Sequence, residues 1–199
     1  METPGERWKA AFMDVVQHHE NALTLREASL NGNLKKWTTE LTSVVNSSCR
    51  ALSWEVAALG HKMEKLPVSR EEYLSLDVTA FEQNWENESG GKRWPFPMAV
   101  FELENSRADE KIAYSLWKVL CVRADLRVVF CYRKETEKAP ALIRYLKDEV
   151  INSMSIEERD ELKGETLIVV GSRNDSETFP YGFFKWWSLN QKTGRFELK

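Results

Sequence analysis

The chain has 199 residues, of which 42% are hydrophobic and 30% are charged, and this balance excludes wholesale disorder and fits one globular domain. Its formal net charge of −3 excludes a strongly basic nucleic-acid binder but leaves room for a local basic patch. No apolar run approaches the length of about 18 residues that a membrane span needs, and the amino terminus lacks the order of a signal peptide, so we expect no membrane partner.

Cysteine and histidine usage narrows the possible chemistry. The three cysteines form no C-x-x-C pair, and two of them, Cys121 and Cys131, lie in apolar runs, which favours free thiols and a cytoplasmic location. Two of the three histidines are adjacent and would point to different sides of a helix. The sequence therefore favours neither a histidine-based metal site nor a Ser-His triad.

Residues 1–60 are predicted to be helical. Trp8 and Phe12 belong to an apolar stripe with helical spacing, which is interrupted at residues 31–33 by Asn-Gly-Asn. A second stripe covers residues 41–59 and contains Glu55. A carboxylate on a core-facing stripe needs a partner, because burying an unpaired charge is costly.

Two strands are predicted to follow. Residues 73–81 alternate between apolar and polar side chains, are rich in β-formers and include Asp77. Residues 82–97 collect Gly, Pro, Asn and Ser and predict a long connection. Residues 98–104 then predict a second strand.

The remaining elements alternate between helix and strand. We predict a helix at residues 107–123, opened by Ser106, and an apolar, centrally placed strand at residues 126–132. A helix at residues 141–154 and a buried strand at residues 166–171 complete the pattern. This order predicts an α/β fold with a mixed central sheet flanked by helices.

We interpret the whole chain, residues 1–199, as a single domain. Residues 1–48 are predicted to form a helical extension, residues 49–175 the α/β core, and residues 176–199 an aromatic carboxyl-terminal segment. The aromatic side chains of this segment could stack nucleic-acid bases, or they could pack in the core or at a dimer contact. Packing or a dimer contact is the favoured interpretation.

Acidic residues on the two predicted strands point to a metal site. Glu102 and Glu104 are two residues apart, so both side chains leave the same face of the strand. Such close carboxylates repel each other unless a cation lies between them, and Mg²⁺ prefers carboxylate oxygens. Asp77, on the preceding strand, could face them. The plain alternative is the solvated face of an edge strand.

This arrangement resembles the PD-(D/E)XK nucleases, a superfamily of restriction-endonuclease-like enzymes. An Asp on one strand, a Glu-x-Glu on the next, a helix and a buried strand follow one another between about residues 50 and 132. Leu76 precedes Asp77 where the family usually has Pro, and Glu104 stands where it usually has Lys. Lys118, on the following helix, is the candidate for a migrated lysine; its plain alternative is a surface lysine.

The resemblance implies a restriction-endonuclease-like core and a Mg²⁺- or Mn²⁺-dependent site. Asp77 and Glu102, with the Leu103 carbonyl, would bind the ion against a scissile phosphate. Lys118 or Glu104 would orient the attacking water and manage its proton.

Further residues are implied at the margins of this site. Glu55 matches the family's helical Glu and would bind a second ion or hold an ordered water; alternatively it pairs with Arg50 or Lys62. Asn105 would contact substrate or, more simply, cap the helix or close the strand end. Lys92 and Arg93 would contact phosphate as substrate-binding residues, or they would belong to a solvated loop.

The expected function is therefore hydrolysis of phosphodiester bonds in nucleic acid, with DNA as the expected substrate. A homodimer or a protein partner would fit the aromatic carboxyl-terminal segment. The alternatives are a catalytically inactive module of the same fold, supported by the acidic net charge and the missing strand lysine, and an interaction subunit that docks through the aromatic segment.

Overall fold

The computed structural model of the chain describes residues 2–83 and 94–199. Within these residues, seven strands form one mixed sheet, ordered as in the sequence from β1 to β7. The helices and strands are α1 Pro4–Gln17, α2 His19–Leu30, α3 Leu34–Ala51, β1 Trp54–Ala58, β2 Val78–Glu82, β3 Ala99–Leu103, α4 Asp109–Leu120, β4 Leu126–Arg133, α5 Ala139–Leu146, α6 Ile156–Glu161, β5 Glu165–Ser172, β6 Phe184–Asn190 and β7 Arg195–Leu198.

The three central strands are parallel and the outer strands are antiparallel. β4 pairs in parallel with β3 and with β5, whereas β1–β2–β3 and β5–β6–β7 are antiparallel runs. Parallel neighbours need crossover connections, and α4 and α5 supply them on one face of the sheet. Helices α1 to α3 cover the other face. The predicted α/β class, with a mixed sheet flanked by helices, is confirmed.

The amino-terminal helices are part of the main core. Thr3 opens α1 with a capping box, in which its hydroxyl accepts from the Glu6 N–H at 3.2 Å and the Glu6 carboxylate accepts from the Thr3 N–H at 2.9 Å. Trp8 is fully buried and packs against Phe101 of β3 and Phe130 of β4. The predicted helical extension of residues 1–48 therefore builds one face of the domain.

The predicted helical stripe at residues 41–59 is wrong in its last third. Helix α3 ends at Ala51, Ser53 adopts a positive φ of 60°, and Trp54–Ala58 forms β1. The apolar residues of this segment are buried by pairing with β2, so tertiary contacts override the helical spacing. Glu55 is consequently on a strand and not on a helix.

The strand that carries Asp77 was predicted to begin too early. Leu74 and Ser75 have positive φ values of 57° and 55°, so the chain turns there and β2 begins at Val78. Asp77 therefore immediately precedes the strand. Leu76 is fully buried against α4 and anchors the turn.

The later elements agree with the sequence pattern within a few residues. The predictions at residues 98–104, 107–123, 126–132 and 166–171 correspond to β3, α4, β4 and β5. The predicted helix at residues 141–154 corresponds to α5, which continues as a π-helical turn at Lys147–Ile151.

The aromatic carboxyl-terminal segment packs into the domain. Phe183, Phe184 and Trp186 are at most 4% exposed and belong to the core under α1 and α3. Trp187 points to the opposite face, where it packs against the second core. These contacts confirm core packing of this segment. Among the described helices, none is both long and apolar enough to cross a membrane.

A buried arginine ties α4 to the sheet. Arg127 on β4 is 3% exposed, and its Nε donates to the carbonyls of Val119 at 3.1 Å and Val122 at 3.0 Å. Its Nη1 donates to the Lys163 carbonyl at 2.8 Å. The guanidinium thus adds a second donor to the Val119 carbonyl, which also accepts from the Val122 N–H, and supplies a donor to the Val122 and Lys163 carbonyls.

We expect Arg127→Met to lower the free energy of unfolding by about 2–4 kcal/mol, because the Val122 and Lys163 carbonyls lose their side-chain donor and the Val119 carbonyl keeps only its backbone donor. Urea denaturation followed by circular dichroism measures this change. Arg195→Met, which removes the same charge from an exposed position on β7, is the matched control. Equal stability of the two variants would contradict a structural role for Arg127.

Candidate functional site

The pairing of β2 with β3 brings two of the predicted metal ligands together. Val78 lies opposite Phe101 in this antiparallel pair. Asp77 directly precedes Val78 and Glu102 directly follows Phe101, so these two residues stand opposite each other. Opposite residues of an antiparallel pair share a face of the sheet. Both side chains therefore lie on the face that α4 covers.

The backbone of Leu103 orients Asp77. The Leu103 N–H donates to the Asp77 Oδ2 at 2.6 Å. The next amide, of Glu104, donates in the other direction, to the Phe130 carbonyl on β4 at 2.9 Å. Successive residues of a strand direct their backbone groups to opposite neighbours, so the Leu103 carbonyl faces the side of β2 and Asp77.

Lys118 closes the group from the last turn of α4. Its Nζ lies 2.7 Å from the Glu102 Oε1 and donates to the Ser75 carbonyl at 2.8 Å. Side chains of a helix lean toward its amino terminus, which lets a residue near the end of α4 reach back over β3. The contact between Lys118 and Glu102 is an ion pair whose angles are not those of a hydrogen bond. The Glu102 Oε1 therefore has no directional donor among the described residues.

The Glu102 carboxyl titrates near neutral pH. Glu102 is only 5% exposed, and burial raises its pKa to about 7. The Lys118 ammonium acts in the opposite direction, and the nearby charge of Asp77 raises the pKa further. Burial dominates, so a modest change of pH or of local charge shifts the protonation of this carboxyl.

The residues present fit one hydrated divalent cation. Among residues 2–83 and 94–199, no group of three or more Asp, Glu, His or Cys side chains is arranged to hold a metal. Mg²⁺, however, keeps several waters and is commonly bound through only one or two carboxylates. Asp77, Glu102 and the carbonyl of Leu103 supply such a set.

Glu55 is not part of this group. Glu55 is on β1 and stands opposite Phe81 of β2. Phe81 is four residues from Asp77, which corresponds to about 13 Å at about 3.3 Å per residue. The Glu55 carboxylate is paired with Lys65, a different base from the two that the sequence suggested. The structure thus gives Glu55 a local ion pair with Lys65, away from Asp77 and Glu102.

Glu104 and Asn105 close the end of β3. The Glu104 carboxylate accepts from the Ser106 N–H at 2.6 Å, and the Asn105 Nδ2 donates to the Thr38 hydroxyl of α3. Both residues are half-buried. Lys92 and Arg93, predicted to contact phosphate, lie outside the described residues.

The sequence prediction missed a group of basic residues at the carboxyl edge of the parallel strands. A pocket of about 770 Å³ opens there, and its basic lining residues are Arg107, Arg133, Lys134, Lys138 and Arg173. Arg133 is the last residue of β4, and the other four follow β3, β4 or β5 in the chain. The rule that ligands bind beyond the carboxyl ends of parallel strands would have singled them out.

Comparisons with protein-family models, with curated proteins and with solved structures found no match to this chain. The resemblance to the PD-(D/E)XK nucleases therefore stays a prediction that rests on the residues themselves. The geometry of Asp77, Glu102 and Lys118 is the observation from which function is argued.

We expect the free energy of unfolding of Glu102→Gln to increase, relative to that of the wild type, as the pH rises from 5 to 8. The folded-state pKa of Glu102, about 7, lies above the ordinary pKa of 4.5 for a glutamate, so its stabilising contribution is complete below the lower value and is lost as the pH rises through the higher one. The variant lacks this loss. The relative gain should reach about 1–2 kcal/mol after allowance for solvent screening.

Urea denaturation at the two pH values measures this effect. Glu110→Gln removes an exposed carboxylate from the same region and controls for net charge. If the stability difference between Glu102→Gln and the wild type does not change with pH, the carboxyl does not titrate in this range.

Proposed function

We propose that the chain is a metal-dependent nuclease that hydrolyses phosphodiester bonds in nucleic acid, with DNA as the expected substrate. The observation that carries the proposal is the convergence of Asp77, Glu102 and Lys118, three residues that are separated in the sequence. Convergence of two carboxylates and one ammonium at a strand end is the donor set that metal-assisted phosphoryl chemistry requires.

Each residue has a proposed role that follows from its contacts. Asp77 and Glu102, with the Leu103 carbonyl, would hold Mg²⁺ or Mn²⁺. The bound ion would lower the pKa of a coordinated water and offset the negative charge on the phosphate. Asp77 is already oriented by the Leu103 N–H, so its carboxylate needs little rearrangement to bind.

Lys118 is the residue we assign to the attacking water. Its ammonium is tied to Glu102 and to the Ser75 carbonyl, which holds it beside the proposed ligands. From there it can donate a hydrogen bond to the water or to a phosphate oxygen. Glu104, whose carboxylate is used by the Ser106 N–H, is the second choice for this role.

The second candidate function is a binding module of the same fold without catalysis. The ion pair of Lys118 with Glu102 favours it, because the ammonium already compensates the buried carboxylate without any metal. The two functions differ in whether a divalent cation binds between Asp77 and Glu102. A cytoplasmic location and a homodimer or protein partner complete the proposal, the former supported by the buried free thiols of Cys49 and Cys131.

We expect the wild type to cleave single- or double-stranded DNA in the presence of Mg²⁺ or Mn²⁺. Glu102→Gln and Lys118→Met should each reduce the rate by about 100-fold or more, since each removes a group that acts on the reacting atoms. Gel assays on labelled DNA measure these rates, with RNA as a parallel substrate.

Glu110→Gln, at an exposed position of α4, is the control and should cleave at the wild-type rate. A comparison of Lys118→Met with Glu104→Gln decides which of the two residues serves the water. Cleavage that survives in Glu102→Gln would show that the activity comes from another site or from a contaminant.

We expect Mn²⁺ to bind the wild type more tightly at pH 8 than at pH 6, by about tenfold. Protons compete with the metal for Glu102, whose pKa is about 7, so the charged form is depleted at the lower pH. Electron paramagnetic resonance of Mn²⁺ measures the affinity.

Asp77→Asn should weaken Mn²⁺ binding at both pH values, because it removes the charge of the second carboxylate. Glu55→Gln is the matched control, since Glu55 is paired with Lys65 and stands on β1 opposite the far end of β2. Absence of Mn²⁺ binding by the wild type would reject the nuclease proposal and favour the binding module.

A further inference from the structure

We infer that the pocket at the carboxyl ends of β3, β4 and β5 binds the terminal phosphate of a nucleotide, either free or at the end of a nucleic-acid strand. This inference concerns binding alone and does not need the chain to cleave a phosphodiester. The pocket has a volume of about 770 Å³, within the range of about 300–1,000 Å³ that is typical of small-molecule sites.

The charge of the pocket is opposite to that of the chain. Five of its lining residues are basic and two are acidic, although the chain carries a net charge of −3. One of the acids, Asp109, is already paired with Arg133, and Lys138 is paired with Glu135 outside the pocket. The pocket is therefore a local positive site in an acidic protein, which favours an anionic ligand.

Three of the cations are available to a ligand. Arg107, Lys134 and Arg173 have no ion pair with any acid in the described part of the chain. Arg107 and Arg173 line the same pocket, where burial lowers the pKa of Arg173 and the positive charge of Arg107 lowers it further. A doubly charged anion between them would offset both positive charges, and a terminal phosphate presents the planar oxygen pairs that guanidinium groups prefer.

An unpartnered hydroxyl supplies independent support. Tyr132 lines the pocket and is only 5% exposed, yet its hydroxyl has no hydrogen-bond partner in the described part of the chain. Trp37 meets its ring edge-on at 5.3 Å between centroids, and the indole N–H lies close enough to the hydroxyl oxygen to lower the pKa, but an N–H cannot accept the hydroxyl proton. Burial raises the pKa of Tyr132, so the hydroxyl keeps its proton and is a donor. Leaving such a donor without an acceptor is costly unless a ligand supplies one.

Asn105 extends the pocket toward the rest of a nucleotide. It lines the pocket, and its Oδ1 is buried and lacks a hydrogen-bond donor among the described residues. This oxygen can accept from a sugar hydroxyl or a base amino group, whereas a phosphate has no use for it. The same pocket thus offers donors for the phosphate and an acceptor for the nucleoside, which favours a nucleotide over inorganic phosphate.

The first test compares ligands that differ only in the terminal phosphate. Calorimetric titrations with thymidine 5′-monophosphate, thymidine, and a short oligothymidylate with and without a terminal phosphate are made in the presence of EDTA. We expect each phosphorylated ligand to bind at least about tenfold more tightly than its unphosphorylated counterpart. Tight binding of the mononucleotide identifies a free nucleotide as the ligand, and tight binding of the oligonucleotide alone identifies a strand end. Equal binding with and without the phosphate would overturn the inference.

The second test uses two double variants with the same loss of charge. Arg107→Gln with Arg173→Gln should abolish the preference for the terminal phosphate. Lys192→Gln with Arg195→Gln, at exposed positions near β7, should leave it unchanged. Equal losses in both variants would show that the attraction is general electrostatics and would reject a defined site.

Tyr132→Phe separates a binding role from a structural one. Loss of a hydroxyl that has no partner should leave the thermal stability unchanged or higher, while the affinity for thymidine 5′-monophosphate falls severalfold. Lower stability with unchanged affinity would contradict the inference. The titrations are made in EDTA, so a failure of the metal-dependent nuclease proposal leaves this result intact.

Discussion

The carboxylate of Glu102 lies between the sheet and α4, where water has little access, and the surrounding elements are arranged to compensate it. Lys118 reaches back from the end of α4 to meet it, and the same ammonium holds the turn before β2 through the Ser75 carbonyl. The turn before β2 also places Asp77 where its carboxylate accepts a hydrogen bond from the Leu103 N–H. One buried charge therefore links β2, β3 and α4. Burial raises the pKa of Glu102 more than the Lys118 ammonium lowers it, and the pKa is about 7.

The remainder of the fold makes this group rigid. The face of the sheet opposite α4 is covered by α1 to α3, whose Trp8 and Phe12 interlock with aromatic side chains of β3, β4 and β6. On the other face, Arg127 fastens the end of α4 to the sheet. A site built on packed strands and helices holds its geometry better than one built on loops.

Acidic and basic groups are separated along β3. Glu102 lies within the strand beside α4, whereas the pocket that contains Arg107 and Arg173 begins just beyond the strand end. Asn105, three residues after Glu102, belongs to the pocket. A phosphorylated ligand in the pocket would therefore lie just beyond the end of the strand that carries Glu102, one of the residues proposed to act on phosphodiesters.

The candidate site residues were recognisable from the sequence, because strand alternation predicts Glu102 and Glu104 on one face and Lys118 lies beside the apolar stripe of the following helix. The buried strands β4 and β5 were also predicted, since continuous apolar runs have few alternatives. The sequence was misleading at Glu55, whose apolar neighbours fit a helix and a strand equally well until pairing with β2 decides between them.

Tertiary structure decided what local pattern does not encode. The register of β2 against β3 placed Asp77 opposite Glu102, and the crossover through α4 brought Lys118 to Glu102 and to the Ser75 carbonyl. The basic pocket gathers residues from the ends of three strands that are far apart in the chain. Local spacing determines which face a side chain takes, whereas the distances between separate elements, and with them the charges that meet, depend on how the whole sheet is assembled.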